Sequence, residues 1–153
     1  GFGWLAAAAA LVLAVTVIVS QLTPMPENAR TALLAEATDL IQAQWTIKTD
    51  DFKEVTGDVV WSDEKQTGYM RLVGMPVNDP AKQQYQLWIV DPDRDERPVD
   101  GGVFDVTDSG EVIIPIDAKL AVDNPKAFAI TVEKPGGVVK SAGPLHVVAP
   151  VQG

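Results

Sequence analysis

Cysteine is absent from all 153 residues, which excludes disulfides, thiolate metal sites and cysteine nucleophiles. There is one histidine, His146, so a multi-histidine metal cage is excluded and at most one imidazole base remains. Positive charge is scarce: 12 Lys and Arg stand against 21 Asp and Glu, a formal net charge of −9. Nucleic acid is therefore not expected as a direct partner, because phosphate binding relies on a cationic surface and counterion release. Charge of either sign is missing from Gly1 to Pro26, and Glu27 is the first charged residue. The length suits one domain with a short extension and falls far short of two full domains.

The chargeless stretch holds a long apolar run. From Phe2 to Leu22 only Thr16, Ser20 and Gln21 are clearly polar among 21 residues. As a helix this run is about 31 Å long, close to the hydrocarbon thickness of a bilayer. A transmembrane helix over 2–22 is the reading, with Trp4 as an interfacial aromatic and Thr23-Pro24-Met25-Pro26 as the stop. A buried core helix would be shorter or carry a polar stripe, and a secretory signal would want a basic start and a short apolar core. The run begins at Gly1 without an initiator methionine, so more chain is expected upstream. On the visible flank Arg30 alone precedes Lys48. By the positive-inside rule this scarcity favours placing everything after Leu22 outside the cytoplasm.

Residues 26–44 predict an amphipathic juxtamembrane helix, with Leu33, Leu34, Ala37, Leu40 and Ile41 at three- and four-residue spacing. Pro26 and Glu27 suit its first turn. Such a helix would either pair with a copy of itself, giving a homo-oligomer through 26–44, or pack on the following domain. From Trp45 to residue 153 the period changes. Short runs rich in Val, Ile, Thr, Tyr and Trp alternate with turn residues every eight to twelve positions, the pattern of an antiparallel β-sandwich of immunoglobulin-like size. The expected strands are 46–49, 58–63, 67–74, 85–91, 103–106, 112–116, 127–134 and 144–149. Strand 85–91 is apolar on both faces apart from Gln86, as a central strand would be. Pro115 marks an edge strand or a bulge.

The loops offer little chemistry. Asp91-Pro92-Asp93-Arg94-Asp95-Glu96 opens like a calcium loop, but Glu96 and Gly102 occupy the positions where the EF-hand pattern needs Gly and Glu. A solvated hairpin loop with pairing by Arg94 and Arg97 is the better reading. Lys134-Pro135-Gly136-Gly137 reads as a type II turn joining two strands. His146 has no serine, threonine or acid placed by local spacing to complete a triad. Trp61 and Trp88 suit the core of strands better than ligand stacking. No catalytic, metal-binding or cofactor-binding set emerges, and no enzyme is expected.

Three segments, read together, carry a resemblance. They are Tyr85-Gln86-Leu87-Trp88-Ile89-Val90-Asp91, Gly102-Val103-Phe104, and Phe128 through Gly137 with Glu133, Gly136 and Gly137. In order and spacing over roughly 58–149 they resemble the C-terminal domain of the anti-sigma-K factor (RskA) family, in which a single-pass helix precedes the domain. The resemblance implies a membrane-anchored regulator of transcription in the bacterial inner membrane, with its C-terminal domain extracytoplasmic. A sigma factor would be held only by a cytoplasmic N-terminal domain upstream of Gly1, and released by successive proteolysis, so a regulatory protease is a further implied partner. The outer domain would sense a signal or shield the first cleavage site. Tyr85, Leu87, Trp88, Gly102, Phe104, Glu133, Gly136 and Gly137 would be signature positions with structural roles. The rival expectation is a membrane-tethered immunoglobulin-like module that binds a ligand or protein; a hydrolase is the weakest.

Overall fold

The computed structural model describes residues 24–152. The apolar run at 2–22 lies outside them, and among the described residues no helix is long and apolar enough to cross a membrane. Helix α1 covers Pro26–Glu36, with Pro26 in its first turn, where a missing N–H costs nothing. The strands are β1 Leu40–Gln44, β2 Thr46–Ile47, β3 Thr56–Ser62, β4 Thr67–Val73, β5 Gln84–Val90, β6 Val99–Phe104, β7 Glu111–Pro115, β8 Ala127–Glu133 and β9 Val147–Pro150, with a 3-10 turn at Asp50–Phe52. They form two antiparallel sheets, one ordered β1-β3-β4-β7 and the other β2-β9-β8-β5-β6.

Alternation fixes which face of each strand is buried. In β4, Gly68, Met70 and Leu72 are buried while Tyr69, Arg71 and Val73 are partly exposed. One core joins both sheets: Val59, Trp61, Met70 and Leu72 from the first meet Tyr85, Leu87, Ile89, Phe128 and Ile130 from the second. Strand β5 pairs on both sides, with β6 and β8, which is why nearly all of it is buried. Strand β7 lies at a sheet edge, where Pro115 removes no ladder bond that a neighbour needs.

Three expectations are corrected. The helix expected over 26–44 stops at Glu36, and Ala37 turns extended (ψ 131°). Residues 40–44 pair instead with β3, Leu40 opposite Ser62 through Gln44 opposite Asp58. The corner is pinned by Asp39, whose carboxylate accepts the Ser62 hydroxyl at 2.6 Å and the Glu64 N–H at 2.7 Å. Tertiary pairing thus overrides a helical spacing. Second, β6 begins at Val99, not 103, because Gly101 and Gly102 sit inside it at a bulge. Third, β2 ends at Ile47 and β9 begins only at Val147. Strands β3 and β4 are neighbours in one sheet, joined across residues 63–66.

Candidate functional site

The residues expected as signature positions lie on β5, β6 and β8 and in the turn that follows β8. Tyr85 points into the core, where its ring stacks on Phe104 (centroids 5.6 Å) and meets the edge of Phe52 (6.1 Å). Its hydroxyl donates to the Pro76 carbonyl at 2.7 Å, and burial pushes its pKa up to about 12. Leu87 lies opposite the bulge in β6, and a Cβ on Gly101 would come within 2.7 Å of its Cδ2. Gly102 adopts φ +108° there, a conformation open to glycine and strained for other residues. Trp88 is buried, at 5% exposure, but it stands apart from the core between the sheets. It lies on the outer face of its sheet, and its indole N–H donates to Thr131 Oγ1 at 2.9 Å.

On that same outer face the segment after β8 folds back and is clamped. The Gly137 N–H donates to the Lys134 carbonyl at 2.9 Å, and Gly136 takes φ +87°, as the third position of a type II turn requires. The turn does not lead straight into the next strand, because twelve residues, 135–146, separate Lys134 from the start of β9, and several are held to the sheet by its side chains. Gln84 Oε1 accepts the Gly136 N–H at 2.8 Å. Gln86 grips Val138 twice, accepting its N–H at 2.9 Å and donating to its carbonyl at 3.0 Å. Glu133 accepts the Ser141 hydroxyl at 2.7 Å. Gly137 has no room for a side chain, since a Cβ would lie 2.5 Å from Val103 Cγ2 and 2.8 Å from Gln86 Oε1.

The other sheet carries a second clamp that the sequence reading missed. Helix α1 lies on the outer face of the four-stranded sheet, with Leu33 buried. Arg30 donates from one nitrogen to both oxygens of Asp58, at 2.9 and 3.1 Å. Gln42 donates to Asp58 at 3.2 Å, and Arg71 stands 3.8 Å from the same carboxylate and 3.2 Å from Glu111. Of the two fates expected for this helix, packing on its own domain is the one seen. The signal was present: Asp58 heads a strand of Val59, Val60 and Trp61, and a buried carboxylate needs a cationic or hydrogen-bonding partner. Arg30 is the sole basic residue before Lys48.

The remaining loop candidates resolve into structure. Asp91 is buried and accepts the N–H groups of Asp123 (3.0 Å) and Asn124 (3.4 Å), so it staples the 117–126 loop to the end of β5. Among the described residues no group of three metal-ligating side chains could hold an ion. Arg94 and Arg97 were expected to pair with the loop acids, yet neither is among the ion pairs of the described residues. The loop is closed instead by backbone groups, Arg97 N–H donating to Asp95 at 3.0 Å. His146 is 2.8 Å from the Thr49 hydroxyl and packs on Phe52 at 4.4 Å. Burial lowers its pKa, against a smaller upward pull from Asp51. A hydroxyl and an imidazole do meet here, but neither the groove lined by Gln42, Gln44 and Gln152 nor that lined by Lys82, Lys134 and Lys140 includes them. Trp61 is wholly buried and its N–H donates to Asp63 at 2.6 Å.

A family model described as "Anti-sigma-K factor rskA, C-terminal" matches residues 4–145. The match takes in most of the apolar run, both clamps and all but the last strand. Comparisons with curated proteins and with solved structures return no match.

Proposed function

This chain belongs to the anti-sigma-K factor rskA C-terminal family, and from that premise we propose that it is the regulatory part of a membrane-anchored anti-sigma factor. The apolar run 2–22 threads the bacterial inner membrane once, and the β-domain stands on the extracytoplasmic side. A cytoplasmic region upstream of Gly1 holds an ECF-type sigma factor. The domain works by regulation and not by catalysis.

The observation that carries this reading is the family match across 4–145, which joins the apolar run to the β-domain in a single unit. Support for the mode of regulation comes from α1. The residues linking the apolar run to the first strand lie docked on the sheet through Leu33 and the Arg30–Asp58 pair. Proteases cut extended, accessible backbone, and a docked helix offers neither. Docking of α1 therefore shields residues 26–36 from the first of the successive cleavages that release the sigma factor. The test is co-purification of the full-length protein with the sigma factors of its host, beside residues 1–153 alone. Capture by the full-length protein and none by 1–153 is expected; no sigma partner for the full-length protein under any condition overturns the reading.

A further inference from the structure

We infer that the outer edge of β1 takes up an extended segment of another polypeptide as an added strand, seated in an uncharged groove beside β9. The inference goes beyond the reading above and does not depend on it. Strand β1 stands at the end of its sheet and pairs on one side only, with β3. Leu40 to Ile47 runs as one strand across both sheets, since Trp45 alone separates β1 from β2. Hydrogen bonds show which way its backbone faces. The Trp45 N–H donates to the Gly57 carbonyl at 3.1 Å, and along an antiparallel pair the bonded residues alternate. Ile41, Ala43 and Trp45 therefore direct their backbone groups at β3, while Gln42 and Gln44 direct theirs to the outer side. That is the side from which the Lys48 N–H donates to the His146 carbonyl at 2.9 Å, on the line of β9. The line of β9 stops short of β1. Thr46 lies opposite Val148, so Gln44 falls opposite Pro150, which has no N–H to give. Past it the Val151 N–H turns to the Lys126 carbonyl at 2.9 Å. An open groove of about 410 Å³ continues that line, with Gln42, Gln44, Thr46, Pro150 and Gln152 on its walls.

The other sheet edges are guarded. On β7 the Ile116 N–H donates to the Gly68 carbonyl at 2.9 Å, so by the same alternation Glu111, Ile113 and Pro115 face outward. A charge and a proline are devices that keep an edge from pairing. The edge of β6 is covered, because Asp117 and Lys119 donate their N–H groups to the carbonyls of Gly101 and Asp100, each at 2.9 Å. Strand β2 is only two residues long. Strand β1 carries neither charge nor proline over Leu40–Gln44, and α1 lies over β3, β4 and β7 instead. Gln42 and Gln44 each present an N–H and a C=O, roughly 7 Å apart along the strand, which is the repeat of an extended polypeptide. Main-chain bonds of this kind supply affinity, and alternate side chains supply selectivity. Gln42, Gln44, Thr46 and Gln152 are exposed, and no residue lining the groove is charged, whereas 22% of the chain is. The side chains that fit are therefore uncharged, because a charged one would lose water and meet no counter-charge. An added strand gives β1 neighbours on both sides, as β5 already has.

The test is a selection of random decapeptides displayed on phage against the full chain in detergent micelles, followed by hydrogen exchange on the complexes. Enriched peptides should be uncharged at alternate positions and should slow exchange of the Gln42 and Gln44 amides by about tenfold or more. Synthetic copies N-methylated at alternate residues report the pairing directly. Methylation of one alternate set should weaken binding by about tenfold or more, and of the other set by less than about threefold. Gln44→Pro removes an N–H that β3 does not use, so it should weaken binding by about tenfold as well, with the melting midpoint unchanged. No enrichment, protection confined to other residues, or equal losses from the two methylation patterns overturns the proposal. The methylated peptides decide the matter even where Gln44→Pro fails to fold. Protection of both amides in the chain alone, rising with its concentration, would assign the edge to a second copy and also overturns it.

Discussion

Tyr85 shows what one buried polar group does to the pH range of this fold. Its phenol keeps its proton to about pH 12 because burial penalises the charged form, whereas in an unfolded chain it ionises near pH 10. The folded state therefore binds the extra proton between these values. Its stabilising contribution is whole below about pH 10 and is lost as pH rises through about 12, roughly 2–3 kcal/mol in all. Denaturation midpoints measured from about pH 9 to 12 should fall more steeply in the wild type than in Tyr85→Phe. Trp88 carries the second prediction at this scale. Its ring is buried and its N–H is satisfied by Thr131, so Trp88→Ala should cost about 3–5 kcal/mol in urea denaturation. A loss below about 1 kcal/mol would mean that the ring contributes little where it stands. A buried Trp88 was legible from a strand apolar on both faces; its place on the outer face was not, because periodicity cannot say which face a folded-back segment will cover.

Two elements act as clamps, one on each outer face. Removing the carboxylate that holds α1, in Asp58→Ala, leaves the Arg30 guanidinium partly buried without its partner. Because Arg30 retains some contact with water, the expected cost is about 2–3 kcal/mol, below that of a fully buried pair. Limited proteolysis between residues 24 and 39 should accelerate several-fold in this variant, and backbone amides of α1 should lose hydrogen-exchange protection before those of β3. Unchanged protection would show that Leu33 alone keeps the helix docked. On the other face the paired glycines separate two causes of strain. Gly136 has open space around it and only its positive φ to lose, so Gly136→Ala should cost about 1 kcal/mol. Gly137 has the same backbone constraint and no free volume, so Gly137→Ala should cost 2 kcal/mol or more. Comparing the two midpoints checks this order.

At the scale of the whole molecule, one core joins both sheets, and neither sheet has an independent apolar interior. Unfolding followed by tryptophan fluorescence and by far-ultraviolet circular dichroism should therefore give coincident transitions. Two separated transitions would show that the sheets come apart independently. The long axis of the domain also has two unlike ends. The end where α1 begins carries the exposed Met25, Val77, Val139 and Leu145, and the opposite end carries carboxylates that staple loops, Asp39 and Asp91 among them. Hydrogen bonds from Ser62 and the Glu64 N–H hold Asp39 below the usual carboxylate range, while burial raises Asp63 beside it.

Much of this molecule is written in neighbouring residues. Missing cysteine and scarce histidine excluded whole classes of chemistry, alternation announced strands, proline at 115 announced an edge, and the Pro-Gly pair at 135–136 announced a turn with positive φ. These are properties of short segments, in which backbone preference and side-chain period act over a few residues. What the tertiary structure decided was everything that depends on distant partners. The helix ends at Glu36 because Leu40–Gln44 finds β3, Arg30 is anchored by a carboxylate 28 residues away, and Gln86 grips a turn 52 residues on. Burial and ion pairing are set by which surfaces meet, and that meeting is not encoded in any one stretch of chain.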